Sequence, residues 1–361
     1  MEKKRVFLRL PPPVPTEKPE EYLRERGAEA DLTIMHEEDV PNVTLTDEML
    51  SELKPHVIVV HRWMRLHPKY TITPEMMDAC ENLEMIQGWG SGYEDYPLDA
   101  ATARGIYVCN NSAVPTAAES VCELAWAHIF ALARRLPALN KKAKEGGWTK
   151  ERKQIDTDIW GDTGRYRGGM ILWGKTLGII GLGNIGIRTA VIGKLGLNMR
   201  VLAYDPHINP IRAQLARVEL VDLDTLLKES DVISLHATLK DETRHMIGAR
   251  ELNLMKETAY IINCARGHLI DFPALAKALE EKRIGGAGID CWPDEPPQYD
   301  LDWVKSMMNS PRVIATIHCG TLYDGVLDRN KAILDNIARH CKGEVPSNVC
   351  NPEVLYKLRK K

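Results

Sequence analysis

Three short segments of the chain hold the residue types that hydride transfer needs. Residues 181–186 contain glycines in the pattern GxGxxG, residues 263–267 contain a single arginine, Arg266, and residues 315–320 contain a single histidine, His318. The glycines could cradle a dinucleotide, the arginine could hold a carboxylate, and the histidine could donate a proton. Together they indicate an enzyme that moves a hydride onto a 2-keto acid and protonates the resulting alkoxide.

The glycine segment lies between a predicted strand, residues 176–180, and a predicted helix. In this context Gly181 permits a tight turn, Gly183 lets the backbone approach a pyrophosphate, and Gly186 lets the helix pack closely on the strand. The amide groups and the positive dipole end at the start of a helix favour phosphate. We therefore predict that this turn binds a dinucleotide.

The acidic residue Asp205 indicates which dinucleotide is bound. It follows the next predicted strand and lies 19 residues after Gly186, where a carboxylate would bond the ribose hydroxyls. A carboxylate at this place repels a 2′-phosphate, and the next four residues contain no arginine to receive one, although His207 could make a weak contact. The sequence therefore predicts NAD rather than NADP as the cofactor.

His318 follows a predicted apolar strand, so it lies at a carboxyl end, where open α/β sheets bind ligands. Glu295 follows another predicted strand, and a buried carboxylate bonded to the ring would raise the pKa of His318 and fix its tautomer. That would keep the imidazole charged near neutral pH, ready to protonate a carbonyl oxygen. Asp294 is a second candidate for this partner. Asp290 is either structural or a contact to the nicotinamide amide.

Arg266 comes shortly after the predicted strand of residues 259–263. Its guanidinium group could hold a carboxylate bidentately and touch the neighbouring keto oxygen. A surface salt bridge is the alternative role for an arginine. The adjacent Gly267 and the place at a strand end favour the substrate clamp.

Bulk composition excludes several other classes of protein. The net charge of −3 disfavours a nucleic-acid-binding surface. No apolar run approaches the roughly 18 residues of a membrane span, and the apolar run near the N-terminus is too short for a signal peptide. We therefore expect a soluble, cytoplasmic protein with no nucleic-acid partner and no membrane partner.

The eight cysteines form no CxxC pair, and their spacings suit neither zinc nor a disulfide framework. We predict reduced thiols and no metal site. Three of them, Cys264, Cys291 and Cys319, lie beside candidate active-site residues, so thiol reagents should inactivate the protein.

Alternating strands and helices must position these residues, which predicts parallel α/β sheets. The predicted strands cover residues 5–10, 32–35, 56–60, 84–87, 106–108, 176–180, 199–204, 232–235, 259–263, 286–290 and 313–316. The predicted helices include residues 47–53, 74–80, 116–136, 272–281 and 323–342. Pro137 is expected to end the long helix, and residues 141–169 are expected to be irregular.

With these motifs in order, the chain resembles the D-isomer-specific 2-hydroxyacid dehydrogenases. This family includes glyoxylate and hydroxypyruvate reductases, D-lactate-type enzymes, phosphoglycerate dehydrogenase and phosphite dehydrogenase. The resemblance rests on residues 174–183, 263–267 and 283–290, and it runs from about Val57 to Glu344. It implies a catalytic triad of Arg266, Glu295 and His318.

The resemblance also implies the architecture. A flavodoxin-like, discontinuous substrate domain would consist of residues 1–116 and 322–361, and a Rossmann NAD-binding domain of residues 117–321. Both would be doubly wound parallel-sheet domains, with the active-site cleft between them. Members of the family are usually homodimers through the cofactor domain, which is the assembly expected here.

Motifs and resemblance together assign two sets of binding residues. Cofactor contacts are expected from Gly181, Gly183, Asn184, Ile185, Gly186, Asp205, His236, Thr238, Cys264, Ala265, Asp290 and Gly320. Substrate contacts are expected from Arg62, Gly90, Ser91, Gly92, Arg266 and His318, the three residues at 90–92 through backbone N–H groups.

Departures from the family pattern leave the 2-keto or 2-hydroxy acid open. Ile317 stands where the family usually has proline, residues 235–240 differ from the usual Leu-x-Pro-Leu-Thr, and residues 154–169 are longer than usual. Hydroxypyruvate, glyoxylate, branched or aromatic 2-keto acids and phosphite all fit the triad. An NAD(H)-sensing corepressor-like binding protein is the alternative, although the chain has no long disordered segment. An adenosyl-ligand hydrolase would have no reason to carry the triad.

Overall fold

The computed structural model describes residues 3–10, 19–36, 47–60, 72–93, 96–112, 114–146, 169–208, 210–320 and 326–358. The chain divides into two compact units. Unit 1 is Met1–Ala117 together with Leu322–Lys361, and unit 2 is Ala118–Thr321.

Unit 1 is built on a five-stranded parallel sheet with the strand order β2-β1-β3-β4-β5. Its strands are β1 (Lys4–Leu10), β2 (Ala30–His36), β3 (Val57–Val60), β4 (Met85–Gly88) and β5 (Tyr107–Cys109). Successive residues of β3 point to opposite faces, and all four are buried, as expected for a parallel sheet covered on both sides.

Helices cover both faces of the unit 1 sheet. One face packs against α1 (Pro19–Glu25) and α13 (Val326–Cys341), and the other packs against α2 (Asp47–Leu53), α3 (Pro74–Ala79) and α4 (Leu98–Arg104). A short C-terminal helix, α14 (Val354–Leu358), contacts α4. The strand order and the helices on both faces are those of the predicted flavodoxin-like arrangement.

Unit 2 is built on a seven-stranded parallel sheet with the strand order β12-β11-β10-β9-β6-β7-β8. The strands are β6 (Thr176–Ile180), β7 (Arg200–Tyr204), β8 (Glu219–Leu220), β9 (Val232–Leu235), β10 (Tyr260–Asn263), β11 (Gly286–Ile289) and β12 (Val313–Ala315). The order reverses between β6 and β9, which is the topological switch point where doubly wound sheets bind their ligands.

The helices of unit 2 also lie on both faces of its sheet. One face packs against α5 (Pro115–Ala133), α7 (Asn184–Val191) and α8 (Pro210–Leu215). The other face packs against α9 (Leu223–Glu229), α10 (Ala249–Leu254), α11 (Phe272–Glu280) and α12 (Asp302–Asn309). The predicted class, an α/β protein with two doubly wound parallel sheets, is therefore confirmed.

The end of the long helix differs from the prediction. Helix α5 ends at Ala133, and a further helix, α6 (Leu136–Lys144), begins after Arg135, which has a φ of +54°. Pro137 lies in the first turn of α6, where its missing N–H costs no hydrogen bond. The predictions that Pro137 ends a helix and that residues 141–144 are irregular were therefore wrong. Residues 147–168 lie outside the described part of the chain.

None of the helices in the described ranges is long and apolar enough to cross a membrane.

Candidate active site

The three glycines of the turn after β6 meet different local requirements. Gly181 has a φ of +90°, and a Cβ on it would lie 2.5 Å from the backbone nitrogen of Ala237. Gly186 is packed so closely that its Cβ would lie 2.1 Å from the carbonyl oxygen of Gly181. Apart from its neighbours in the chain, no atom of the described residues lies within 4 Å of the place where a Cβ of Gly183 would be. Space at this turn is therefore open at Gly183, directly before the first residue of α7, Asn184.

The surroundings of this turn fit a dinucleotide. Helix α7 begins at Asn184 and Ile185 without a side-chain cap and without an acidic residue in its first turn, so its first amide groups can bond phosphate. Asp205 accepts hydrogen bonds from the backbone N–H groups of Leu182 at 2.8 Å and His207 at 3.0 Å. A carboxylate has about four acceptor sites, so capacity for ribose hydroxyls remains.

Two further predicted cofactor residues follow β9 at the switch point. The backbone N–H of His236 bonds the carbonyl oxygen of Ile180 at 2.7 Å, which places it beside the glycine turn. Burial lowers the pKa of His236 to about 3, so its ring is neutral, and Nε2 lies 2.9 Å from the Ser234 hydroxyl. Thr238 is exposed, and its carbonyl oxygen accepts a hydrogen bond from Thr243.

Arg266 lies on a tight turn after β10 that its neighbours hold in place. The Asn263 side chain accepts from the Ala265 N–H at 3.1 Å and donates to the Arg266 carbonyl at 2.8 Å. A Cβ on Gly267 would lie 2.2 Å from the carbonyl oxygen of Trp292, so only glycine lets this turn approach the loop after β11. Nη1 of Arg266 donates to the Ala265 carbonyl at 2.7 Å.

The buried carboxylate of Asp290 fixes the loop that carries His318. Its Oδ1 accepts from the Thr316 hydroxyl at 2.6 Å and from the Cys319 N–H at 2.8 Å, and its Oδ2 accepts from the Gly320 N–H at 3.1 Å. His318 itself has a φ of +56°, a conformation that costs a non-glycine residue about 1 kcal/mol or more. The amide groups on its C-terminal side, held by Asp290, stabilise this strained backbone.

His318 and Glu295 form a close pair. Nδ1 of His318 lies 2.6 Å from Oε1 and 2.7 Å from Oε2 of Glu295, with the two side chains 22% and 16% exposed. Oε1 also accepts from the Trp292 N–H at 3.3 Å. Asp294, the competing candidate, is exposed and instead accepts from Gln298. The structure therefore brings Glu295, and not its neighbour, to the histidine.

The sequence reasoning did not single out a second histidine beneath this loop. His128 of α5 is buried, with Nε2 3.2 Å from the Thr316 hydroxyl and Nδ1 3.9 Å from Sγ of Cys264. Burial lowers the pKa of His128, which favours a neutral ring. It thus extends the Asp290–Thr316 network into the core. A histidine on the otherwise apolar face of α5 was the only signal in the sequence.

The predicted substrate loop at residues 90–92 follows β4 in unit 1. Two consecutive asparagines after β5 hold it, because the Asn110 side chain donates to the Ser91 carbonyl at 2.7 Å and the Asn111 side chain donates to the Trp89 carbonyl at 3.0 Å. The carbonyl of Gly90 accepts from the Asn111 N–H at 3.0 Å. The sequence reasoning missed both asparagines. Arg62 lies outside the described residues.

Within unit 2, the predicted residues gather at the carboxyl ends of neighbouring strands. The turn with Arg266 packs on the loop with Glu295 through Gly267 and Trp292, and that loop reaches His318 directly. Cys264 and Ala265 belong to the same turn, and the Ala265 carbonyl accepts from Sγ of Cys291. A glycine turn that fits a dinucleotide, in the same unit as a paired histidine and carboxylate, is typical of a dinucleotide-dependent oxidoreductase.

Comparison with known proteins identifies the family. The model of the D-isomer specific 2-hydroxyacid dehydrogenase NAD binding domain matches residues 126–320. A glyoxylate reductase of Thermococcus litoralis is 36% identical over 285 residues, which is 79% of this chain and 82% of the relative. A D-3-phosphoglycerate dehydrogenase of Methanocaldococcus jannaschii is 34% identical over 84% of this chain, but the match spans only 53% of that longer protein.

A solved structure of a D-lactate dehydrogenase is also similar to this chain. The D-lactate dehydrogenase of Aquifex aeolicus, complexed with NAD and lactic acid, has a TM-score of 0.75 and 27% identity, over 98% of each chain. The chain belongs to the D-isomer specific 2-hydroxyacid dehydrogenase family. It is an NAD-dependent oxidoreductase, so the predicted family, enzyme class and cofactor are confirmed.

Proposed function

We propose that the chain interconverts a 2-keto acid and a D-2-hydroxy acid, with His318 as the general acid and base. The observation that carries this proposal is the contact of 2.6 Å between Nδ1 of His318 and Glu295, at the strand ends where Arg266 also lies. An imidazole in such a pair is held in one tautomer, and its protonated form is stabilised by the carboxylate.

NADH, when bound, supplies the hydride. The chain's own residues then handle the proton and the charge. With Nδ1 engaged by Glu295, Nε2 is the ring atom of His318 that gives its proton to the keto oxygen, and in the oxidation direction the same atom takes it back. General acid catalysis of this kind typically contributes ~10²–10⁴-fold to the rate.

Arg266 is the proposed clamp for the substrate carboxylate, through a bidentate pair that also places its charge near the keto oxygen. The turn at Gly90, Ser91 and Gly92 is proposed to bind the same class of group through backbone N–H groups. Its support is that Asn110 and Asn111 hold the turn mainly through its carbonyl oxygens. Arg62 stays a predicted substrate contact.

The cofactor contacts are proposed as the sequence predicts them. The open space at Gly183, the start of α7 and the carboxylate of Asp205 support pyrophosphate and ribose binding. The remaining members of the set are Gly181, Asn184, Ile185, Gly186, His236, Thr238, Cys264, Ala265, Asp290 and Gly320. Asp290 already accepts hydrogen bonds from Thr316, Cys319 and Gly320 of the loop that carries His318, which favours its structural role over a nicotinamide contact.

For the substrate we propose glyoxylate or a 2-keto acid of similar size. Relatives named glyoxylate reductase are 34–38% identical to this chain, and each match covers about four fifths of this chain and of the relative. The phosphoglycerate dehydrogenases are matched over only 53% and 56% of their lengths. A small keto acid therefore has the stronger support.

We also propose that unit 1 is the substrate domain, that unit 2 is the NAD-binding domain, and that two copies pair through unit 2. In unit 2, large apolar side chains are exposed to 39% at Phe130, 73% at Ile171, 64% at Trp173 and 68% at Leu195. Large apolar side chains that are exposed together mark interaction sites in soluble proteins. An isologous pair would bury them on both copies.

The test measures NADH oxidation by the purified protein with a panel of 2-keto acids, and NADPH in parallel. Glyoxylate or a close analogue should give the highest kcat/KM, and NADH should exceed NADPH. Turnover that is highest with a large aromatic keto acid would refute the substrate proposal. Tight NADH binding without turnover of any acid would favour the NAD(H)-sensing protein instead.

A further inference from the structure

A group of three potential metal ligands includes His318, the proposed proton donor. Cys291, Glu295 and His318 each offer one ligand atom, and these atoms all lie within 4.8 Å of one another. In the described ranges no other three histidine, cysteine or acidic side chains are grouped so closely. The three residues come from two loops, after β11 and after β12, so the spacing of cysteines along the chain did not reveal them.

We propose that these three side chains form an inhibitory Zn²⁺ site. Thiolate, imidazole and carboxylate are the ligands that zinc prefers, and three protein ligands with a water in the fourth position is a common zinc site. Zinc bonds of about 2.0–2.3 Å place neighbouring ligand atoms about 3.5 Å apart. The widest gap in the trio therefore needs to close by about 1 Å or slightly more.

Zinc would enter from the side of the histidine. His318 and Glu295 are 22% and 16% exposed, whereas Cys291 is buried behind them. The Cys291 thiol donates to the Ala265 carbonyl at 3.2 Å. On binding, this thiol loses its proton and the pair of His318 and Glu295 loses the proton it shares. Two protons are released for each Zn²⁺ bound, and no oxidant or reductant is involved.

Bound zinc would break the contact between Nδ1 of His318 and the Glu295 carboxylate, on which the proposed proton donor depends. With Nδ1 of His318 or the Glu295 carboxylate on the metal, the ring can no longer be held as a charged acid for the keto oxygen. Zinc should therefore inhibit turnover reversibly, and a chelator should restore it. Mg²⁺ should not inhibit, because it prefers an all-oxygen octahedral shell that includes several waters.

Two thiol variants separate this site from other cysteines. Cys291→Ser keeps a hydroxyl that can donate to the Ala265 carbonyl but removes the thiolate. Cys319→Ser is the matched control, because this half-buried thiol lies on the same loop as His318 and contacts Asp290 instead. Both variants should keep the basal turnover and the melting temperature of the unchanged protein.

The experiment titrates each protein with zinc sulfate, without cofactor, in competition with a chromophoric chelator. The unchanged protein and Cys319→Ser should bind one equivalent more tightly than Cys291→Ser, whose Kd for that equivalent should rise at least about 100-fold. Zinc should inhibit NADH-dependent turnover of the first two proteins at concentrations that leave Cys291→Ser active. If Cys291→Ser has a lower melting temperature than the unchanged protein, the titration is repeated with Cys291→Ala.

Equal zinc affinity of the unchanged protein and both Cys291 variants would overturn the site. The inhibition rests on the proposed role of His318, but the binding does not, so the two can fail separately. Cys291-dependent binding without loss of turnover would keep the metal site and remove His318 as the proton donor. Loss of turnover that Cys291→Ser does not relieve would remove the metal site and leave the proposed function intact.

Discussion

Replacing Glu295 by Gln should move the pH dependence of keto-acid reduction. The amide keeps the size of the side chain and removes the charge that lies 2.6 Å from Nδ1 of His318. Both side chains are mostly buried, so their contact exceeds the ~0–1 kcal/mol of an exposed ion pair and falls in the ~1.5–3 kcal/mol range of hydrogen bonds to charged groups. At 1.36 kcal/mol for each tenfold change, that is about one to two pH units.

The assay is kcat/KM for the best keto acid with NADH, measured across pH for the unchanged protein, Glu295→Gln and Asp294→Asn. Reduction requires the charged ring, so activity falls on the alkaline side. In Glu295→Gln this alkaline fall should begin about one to two pH units lower. At pH values above that point, kcat/KM of the variant should be about 10- to 100-fold below that of the unchanged protein. NADH affinity should change little.

Asp294→Asn is the matched control, because it removes a neighbouring charge on the same loop that contacts Gln298 and not His318. Its alkaline fall should coincide with that of the unchanged protein. The direct role of the Glu295 contact would be refuted if the alkaline fall of Glu295→Gln began at the same pH as that of the unchanged protein. It would also be refuted if Asp294→Asn shifted this fall as far as Glu295→Gln does.

Three further changes test other parts of the account. Arg266→Lys should raise KM for the keto acid about 10- to 100-fold, because an ammonium cannot form a bidentate pair; an unchanged KM would remove the clamp. Gly181→Ala should lower the free energy of unfolding in urea by about 2 kcal/mol or more, since φ is +90° and backbone lies 2.5 Å from the new Cβ. Burial alone would raise the pKa of Glu84, but hydrogen bonds from His340 and Lys4 lower it from 4.5 to about 2. Glu84→Gln should therefore cost about 1 kcal/mol at neutral pH, and the difference should vanish as pH falls from 4.5 toward 2; a difference that persists at low pH would contradict this.

The strands could be predicted because buried parallel strands are short, uninterrupted apolar runs. The predicted bounds of β6 and β9 match the structure, and both strands are central and covered on both faces. Strand β8 was missed, because it has two exposed residues at the edge of the sheet and no apolar run. Helix α6 was missed because a proline signals both the end of one helix and the first turn of the next.

Site residues within one segment were predictable, whereas contacts between segments were not. Gly181 and Gly186 follow from the strand, turn and helix pattern, because their constraints are local. Glu295 and Asp294 are adjacent in the chain, so only the path of the loop decides which of them reaches His318. His128 contacts Thr316 across 188 positions of sequence, a separation at which no local pattern operates.

The most direct test of the central claim is turnover by His318→Ala, measured together with NADH binding by fluorescence. The account predicts that kcat/KM for the keto acid falls ~10²–10⁴-fold while the Kd for NADH stays close to that of the unchanged protein. Undiminished kcat/KM in a variant that binds NADH normally would contradict His318 as the proton donor.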